Sequence, residues 1–168
     1  MSLTSTFLLI RVDDRLMHGQ VTLGWGNELA PRQYLIVDDQ LAFSPMEAEL
    51  FRLVAPEGTH VHIFSPKAFL EEMGKESVWD RAILILRDIP ALLALIRGGF
   101  HPPEINLGGI HRHAGATEVL PYLFLSHEDW DGLEEVAASG AQLYAQELPG
   151  RPSHRWVALR DRKPNRAG

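Results

Sequence analysis

Apolar and polar residues follow one another along the chain in a pattern that predicts alternating strands and helices. Apolar runs of four to six residues recur at intervals, and runs of this length bounded by turn residues are typical of buried strands. The run at Ala82–Leu86 is continuously apolar, which favours a parallel strand covered on both faces. The predicted strands are 7–10, 33–37, 61–64, 82–86, 104–107, 122–125 and 141–146.

Segments with helical spacing lie between most of these runs. Val21, Trp25 and Leu29 fall four residues apart and predict a helix that begins near Gly19. Ser and Pro at other helix starts suit the cap and the first turn, and Ser126 with Asp129 has the spacing of a capping box. The other predicted helices follow Ser44-Pro45 (apolar face Met46, Leu50, Leu53, Val54), Ser65-Pro66 (Phe69, Leu70, Met73), Ile89-Pro90 (Leu92, Leu93, Ile96) and Ser126 (Trp130, Leu133, Val136, Ala137).

This alternation predicts an α/β fold, a three-layer open and mostly parallel sheet of six or seven strands with helices on both faces. The sequence shows no internal repeat and no linker, so residues 1–168 are predicted to form a single domain, with a loose basic tail over 160–168. Open sheets of this class bind ligands beyond the carboxyl ends of their strands. Several polar turns follow predicted strands and should therefore converge on one edge, namely 14–18, 38–39, 66, 87–88 and 108–109.

Composition and charge exclude several function classes. The formal net charge of −6 argues against general nucleic-acid binding. The absence of cysteine excludes disulfides and thiolate metal sites. No apolar run approaches the roughly 20 residues that span a bilayer, and Met1–Thr6 lacks the features of a secretory signal, so a cytoplasmic location is expected.

Residues 11–21 gather two arginines, two aspartates and one histidine between the first strand and the first helix. A helix start offers free backbone N–H groups and partial positive charge, which suits a phosphate. A neutral His18 imidazole at this place could attack a phosphoryl group, and Arg11 and Arg15 could stabilise the charge on its oxygens. The residue types alone leave open an ordinary loop histidine beside a surface ion cluster.

The stretch Arg11-Val-Asp-Asp-Arg-Leu-Met-His-Gly-Gln-Val21 resembles a family signature, Arg-(Ile/Val)-Asp-Asp-Arg-Leu-Ile-His-Gly-Gln-Val, with Met17 in place of Ile. The family is the enzyme IIB component of the mannose/sorbose family of the bacterial sugar phosphotransferase system. Val37–Ala42, Asn106–Gly109 and Leu125–Asp129 resemble further turns of the same family. The resemblance implies the strand order 3-2-4-1-5-6, with His18 at the carboxyl end of a central first strand.

The resemblance also implies a function, that of a histidine phosphocarrier without a cofactor. A phosphohistidine on a IIA protein would phosphorylate the δ nitrogen of His18, and a sugar would then take the phosphoryl group during uptake by the membrane components IIC and IID. The protein would thus associate with the inner face of the membrane. Arg11 and Arg15 match positions near the phosphohistidine, while Asp13 and Asp14 are expected to orient the arginines or brace the loop. Asp14, Gly19 and Gln20 are expected to support the phosphate or the loop. The sugar and a homo-oligomeric state stay open.

The same residues allow other interpretations. A regulatory or scaffold protein could report phosphorylation state without moving sugar. His111 and His113 could bind the metal of a metal-dependent hydrolase, but zinc needs a third ligand and the sequence specifies none, so no metal site is predicted. Arg112 could add positive charge near the carboxyl edge of the sheet. A response-regulator receiver is disfavoured because no lysine lies between Lys75 and Lys163, and the glycine-rich turns form no nucleotide-binding loop.

Overall fold

The computed structural model describes residues 7–75 and 79–165, and a seven-stranded sheet forms the centre of this part of the chain. The strands of the sheet are β1 Phe7–Asp13, β2 Gln33–Val37, β3 His60–Phe64, β4 Ala82–Leu86, β5 Glu104–Gly109, β8 Gln142–Ala145 and β9 His154–Arg155. Their order is β3-β2-β4-β1-β5-β8-β9. The first six in this order are parallel, and β9 pairs antiparallel with β8 at the edge.

Helices cover both faces of this sheet. They are a π-helical segment Gln20–Trp25 that continues into α1 Gly26–Leu29, then α2 Asp39–Ala42, α3 Pro45–Leu53, α4 Pro66–Met73, α5 Ile89–Arg97, α6 His127–Ala138 and α7 Trp156–Arg160. Alternate residues of β4 enter two separate cores, because side chains alternate across a strand. Leu84 and Leu86 pack in the core that includes residues of α4 to α7, whereas Ile83 and Ile85 pack with residues of the π-helical segment, α2 and α3.

The predicted fold class is confirmed, and so is the strand order when β8 is taken as the sixth strand. All five residues of β4 are fully buried, as its continuous apolar pattern predicted. The predicted strand at 122–125 differs, because β7 Leu123–Leu125 pairs antiparallel with β6 Thr117–Leu120 in a small separate sheet. The first strand extends three residues further than predicted, so Arg11 and Asp13 belong to β1 rather than to the following loop.

Local capping signals are reproduced at most helix starts. The side chains of Asp38, Ser65, Asp88 and Ser126 each accept a backbone hydrogen bond at the start of a helix, and Ser126 with Asp129 forms the complete capping box. Ser44 makes no such bond although Pro45 begins α3 as predicted. Each bond satisfies an N–H group that the helix itself cannot pair.

The apolar face predicted for α3 lies on the surface. Met46, Leu50, Leu53 and Val54 are 57–78% exposed, while Ala48 on the opposite side is buried against the sheet and Phe51 is partly buried there. The sequence pattern identified an apolar stripe but not its direction, since this helix has apolar residues on both sides.

The tail begins closer to the body than predicted. Arg160 pairs with Glu134, Lys163 pairs with Asp131, and Arg162 donates to the carbonyl of Val119. The looseness predicted for residues 166–168 concerns residues outside the described ranges. No helix within 7–75 and 79–165 is long and apolar enough to cross a bilayer.

Candidate functional site

The loop that carries His18 follows β1 at the carboxyl edge of the sheet. Of the strands that run parallel to β1, three lie on one side of it and two on the other. Three of the predicted turns meet this loop. The backbone N–H of Asp14 donates to the carbonyl of Gly109 at 2.9 Å, and Arg87 donates to the carbonyl of Asp14 at 3.3 Å. Arg87 also pairs with the buried carboxylate of Asp38 at 2.7 Å. Residue 66, which begins α4 after β3, is three strands from β1 and stays apart from His18.

Two buried side chains anchor the loop itself. Leu16 and Met17 are 1% and 5% exposed and pack in the core beneath the π-helical segment. Leu16 has φ +58°, and its N–H donates to the carbonyl of Asp13 in a tight turn. A left-handed leucine costs on the order of 1 kcal/mol, and such residues persist where packing holds them. The buried Leu16-Met17 pair thus brings the next residue, His18, to the surface.

Asp13 is the centre of the site. Its carboxylate is fully buried and accepts from three side chains: Arg11 at 3.0 Å, Arg15 at 3.4 Å and His18 at 3.0 Å. The backbone N–H of Arg15 adds a further bond at 3.1 Å. Asp13 therefore connects both arginines of the motif to its histidine.

The electrostatic state of Asp13 follows from these contacts. Burial alone would raise its pKa, but the hydrogen bond to His18 and the positive charges of Arg11 and Arg15 outweigh burial and lower the pKa below its usual value. Burial lowers the pKa of Arg11, partly offset by Asp13, yet the guanidinium of an arginine remains charged at neutral pH. The buried pair is thus an ionised carboxylate beside an arginine cation.

The contacts of His18 define which ring nitrogen is free to react. Nε2 lies 3.0 Å from Asp13 Oδ2, and an ionised carboxylate can only accept, so Nε2 carries the proton. The backbone N–H of Gln20 points to Nδ1 at 3.4 Å, so Nδ1 carries the lone pair. The His18 side chain is 18% exposed. Its Nδ1 is therefore an acceptor at the start of the π-helical segment.

Arg11, which was predicted to lie near the phosphoryl group, is a residue of β1. Its side chain is fully buried and donates to Asp13, to the Asn106 side chain at 2.6 Å and to the carbonyl of Gln146 at 3.0 Å. All three of its nitrogens have acceptors inside the protein. The geometry places Arg11 beneath Asp13, away from any ligand that approaches His18 from solvent.

Arg15 lies at the surface of the site. Its side chain is 36% exposed, and its Nη2 donates to Gln20 Oε1 at 2.8 Å. Gln20 in turn donates to Glu147 Oε1 at 2.9 Å, and Trp25 donates to the Glu147 carbonyl. The Gln20 side chain is thus engaged in orienting Arg15, and its backbone N–H, rather than its amide, faces His18.

Glycines leave room for this network. A Cβ atom built on Gly108 would lie 1.9 Å from Arg11 Cζ, and one on Gly109 would lie 3.2 Å from Asp13 and from Arg15. The predicted role of Gly19, close approach of a phosphate, agrees with the open space beside it, since a Cβ there would meet no atom within 4 Å. The two glycines that end β5 are thus required by the arginines, and Gly19 leaves the approach to His18 open.

Asp14 and the loop after β5 form a second cluster beside the first. Asp14 accepts from the backbone N–H of His111 at 2.7 Å, and the His111 ring lies 2.6 Å from the same carboxylate. His113 contacts Asp129 at 2.8 Å and donates to the carbonyl of His111. Arg112 stacks on Phe124. The two histidines therefore attach this loop to carboxylates, and the described residues contain no group of three potential ligands for a metal ion.

Sequence reasoning missed three contributors to the site. Asn106 was identified only as part of a turn, Glu147 carried no motif, and the Gln146 carbonyl contributes through the backbone. All three lie on or after the strands β5 and β8, next to β1. Only their positions in the chain could have identified them, because they follow strands next to β1 and the carboxyl ends of neighbouring parallel strands meet at one edge.

Comparison with known proteins agrees with the fold. The family described as "PTS system sorbose subfamily IIB component" matches residues 7–166. The N-acetylgalactosamine-specific phosphotransferase enzyme IIB component 1 of Escherichia coli is 26% identical over 144 residues, which cover 85% of this chain and 91% of that protein. The mannose-specific EIIAB component of the same organism is 25% identical over 152 residues, 90% of this chain and 47% of that protein.

Solved structures show the same architecture. The IIBSor domain of the sorbose permease from Klebsiella pneumoniae superimposes with a TM-score of 0.86 at 22% sequence identity, covering 95% of this chain and 98% of that one. The family match spans nearly all of the chain, including the whole of the His18 loop and its network. This chain is a member of the sorbose subfamily of IIB components of the sugar phosphotransferase system.

Proposed function

We propose that His18 is the phosphoryl acceptor of this IIB component and that Nδ1 is the nucleophilic atom. The observation that carries the proposal is the contact of Nε2 with Asp13, which fixes the proton on that nitrogen and leaves the Nδ1 lone pair free. A neutral imidazole held in one tautomer and one orientation is an activated nucleophile. Family membership supports phosphoryl transfer as the reaction, since these components are phosphotransferases.

The first transfer step balances without an external base. The Nδ1 lone pair forms a bond to phosphorus while the bond from phosphorus to the nitrogen of the donor phosphohistidine breaks, and the donor keeps that electron pair. The His18 ring keeps its Nε2 proton and gains positive charge, which the adjacent Asp13 carboxylate stabilises. In the second step the oxygen of a sugar hydroxyl bonds to phosphorus while the bond from phosphorus to Nδ1 breaks and Nδ1 keeps that electron pair. The hydroxyl proton passes to water or to a base of the sugar-binding component, and His18 returns to the neutral tautomer.

The two arginines have different roles in this proposal. Arg15, partly exposed and held by Gln20, contacts the phosphoryl oxygens and stabilises the charge that spreads over them during transfer. Arg11 is a positioning residue, because its buried guanidinium holds the Asp13 carboxylate that orients His18. Backbone N–H groups at Gly19 and Gln20 provide further donors at the start of the π-helical segment.

The donor of the phosphoryl group and the components that present the sugar acceptor are protein partners of this family. The printed name of the E. coli mannose component, EIIAB, combines IIA with IIB, and this chain covers about half of that protein. We infer that a IIA protein or domain docks over His18 as donor, and that membrane components IIC and IID present the sugar and bring the chain to the inner face of the membrane. Relatives at 25–27% identity are named for N-acetylgalactosamine, mannose and sorbose, so identity does not select one sugar.

A labelling experiment tests the assignment of His18. The chain is incubated with phosphoenolpyruvate carrying ³²P, the general phosphotransferase proteins and a IIA protein of the mannose/sorbose family. The wild-type chain should gain an acid-labile, base-stable label, and His18→Ala should gain none. The matched control is His60→Ala, an exposed histidine at the start of β3, which should be labelled like the wild type. Equal labelling of His18→Ala would contradict the proposal.

A regulatory or scaffold role receives no specific support from the site. A reporter of phosphorylation requires an acceptor but not a second transfer, and the open space beside Gly19 leaves His18 accessible to both a donor and an acceptor. Transfer of label from the phosphorylated chain to a sugar, in vesicles that contain IIC and IID, separates a carrier from a reporter.

A further inference from the structure

An unusually apolar surface lies on α3, away from the His18 network. Five large apolar side chains form a stripe with helical spacing along this helix and the turn before it, and this set is called the α3 stripe below: Phe43, Met46, Leu50, Leu53 and Val54, which are 79%, 78%, 57%, 72% and 68% exposed. The first four members are three or four residues apart, so they lie on one side of the helix, and Val54 directly follows Leu53. The opposite side, with Ala48 and Phe51, packs on the sheet.

The stripe is large enough to be an interface. Exposed side chains of this size present on the order of 150 Å² each, so at the observed exposures the stripe presents on the order of 500 Å² of apolar surface. The largest apolar patch of a typical monomer covers about 300–600 Å² and is often functional. Two such stripes in contact would remove on the order of 1,000 Å² from water, which is what a specific interface requires before its polar rim is added.

The charges that border the stripe fit a second copy of the same helix. Glu49 lies on one flank of the stripe, and the guanidinium of Arg52 reaches it in an ion pair at 3.3 Å. When two α3 helices pack antiparallel about a two-fold axis near Leu50, this flank meets its own copy, with Glu49 of each chain next to Arg52 of the other. Met46 then meets Leu53 and Val54 of the other copy, and the opposed helix dipoles add a favourable term.

The same charges disfavour a lipid surface. Glu47 and Glu49 flank the stripe, and the formal net charge of the chain is −6, so an anionic membrane would repel it. A basic flank is what amphipathic helices use to bind such membranes.

We propose that the α3 stripe is the contact surface of a two-fold homodimer in which α3 packs antiparallel against α3 of a second copy. Each chain then keeps its own His18 loop accessible, because that loop lies at the carboxyl edge of β1 and α3 covers the sheet beside β2 and β3. This dimer does not depend on the assignment of His18.

Sedimentation and light scattering of the full chain test the proposal. The wild type should associate reversibly with concentration from 18.8 kDa to twice that mass. Leu50→Glu places a carboxylate at the two-fold axis and should raise the dissociation constant by at least about 100-fold. The matched control is Leu23→Glu, at a leucine of the π-helical segment that is 69% exposed, and it should leave the dissociation constant unchanged.

A charge exchange tests the antiparallel arrangement itself. Glu49→Arg and Arg52→Glu should each weaken self-association about 10-fold, because like charges then meet across the axis. An equimolar mixture of the two variants should form a heterodimer at least as stable as the wild-type dimer, since both crossed pairs are restored. A wild type that stays monomeric up to about 500 µM would overturn the proposal. A mixture of the two variants that associates no more tightly than either variant alone would overturn it as well. If the monomer instead binds to vesicles that contain IIC and IID, the stripe is a contact surface for a membrane protein and the proposal is wrong.

Discussion

Two neighbouring aspartates at the end of β1 each hold a histidine, in opposite physical settings. Asp13 is fully buried, lies against two arginines and contacts His18, whereas the Asp14 side chain is 31% exposed and contacts the 53% exposed ring of His111. A buried charge-assisted contact is unscreened and has one geometry, while an exposed contact competes with water and salt. The same pair of residue types therefore orients the proposed phosphoryl acceptor in one case and attaches a loop in the other.

The largest expected difference between the two regions comes from replacing each carboxylate by its amide. Asp13→Asn should slow phosphoryl transfer to His18 on the order of 100-fold, and should lower the free energy of unfolding by about 3 kcal/mol because Arg11 stays buried without its anion. Asp14→Asn should cost about 1 kcal/mol and change the rate far less. Single-turnover transfer from phosphorylated IIA and urea denaturation measure the two quantities.

A readout at His18 separates positioning from simple loss of stability. In the wild type, ¹⁵N shifts of the His18 ring should show the proton on Nε2, and in Asp13→Asn they should show a mixture of tautomers. Unchanged ring shifts in Asp13→Asn, together with a normal transfer rate, would remove Asp13 from the proposed mechanism.

The lowered pKa of Asp13 makes the buried region sensitive to acid. Its ordinary unfolded pKa is about 3.9, and its folded pKa is lower. The stability that it contributes is fully present above the unfolded pKa and is lost as the pH falls through the folded pKa. The difference in unfolding free energy between wild type and Asp13→Asn should therefore be constant near neutral pH and shrink below about pH 4.

A side chain added at Gly108, beside Arg11, should lower the free energy of unfolding nearly as much as Asp13→Asn does. In Gly108→Ala the new Cβ would lie 1.9 Å from Arg11 Cζ, and Arg11 cannot move without leaving Asp13 and Asn106. We expect a loss of about 2–3 kcal/mol in unfolding free energy. Gly19→Ala is the control, because its Cβ meets open space, and its unfolding free energy should stay within about 0.5 kcal/mol of wild type. Equal stabilities for the two variants would contradict the packing argument.

Truncation of the exposed arginine should affect rate without affecting stability. Arg15→Ala is expected to slow transfer on the order of 10-fold or more, since a donor to the phosphoryl oxygens is lost. Its unfolding free energy should change by at most about 0.5 kcal/mol, because a partly exposed ion pair contributes little. Arg15→Lys should recover part of the rate because it restores charge without the fork of donors. Wild-type rates in Arg15→Ala would exclude contact with the phosphoryl group.

The smallest effect belongs to the exposed loop. The pKa of His113 is raised, mainly by its hydrogen bond to the His111 carbonyl. Slight burial opposes this shift, and the Asp129 carboxylate adds to it. Stability from this contact is fully present below the unfolded pKa of about 6.5 and is lost as the pH rises through the higher folded value. His113→Ala should thus be slightly less stable than wild type at pH 6 and equal to it well above pH 7, as thermal denaturation at the two pH values can show. A difference that grows with pH would contradict this.

The sequence predicted the parallel sheet and the position of His18 because both depend on short-range patterns. Apolar runs of strand length and the caps at Ser65 and Ser126 are local signals, and the motif at 11–21 is contiguous. The convergence of the turns on one edge followed from topology alone. These features required no knowledge of which residues meet across the fold.

The details of the site could not be read in the same way. Which arginine is buried depends on β1 extending to Asp13 and on Asn106 lying opposite Arg11 on the neighbouring strand, a contact between residues 95 positions apart. The direction of α3 depends on which of two apolar sides the sheet covers, and the periodicity is satisfied by both. Long-range pairing and burial decide these points.

The position of phosphorus on the His18 ring tests the central claim most directly. The chain labelled with ¹⁵N-histidine is phosphorylated through IIA, and long-range proton–nitrogen spectra identify the substituted nitrogen. We predict phosphorus on Nδ1 with the proton retained on Nε2 toward Asp13. Phosphorus on Nε2 of His18, or on any other residue, would contradict the account.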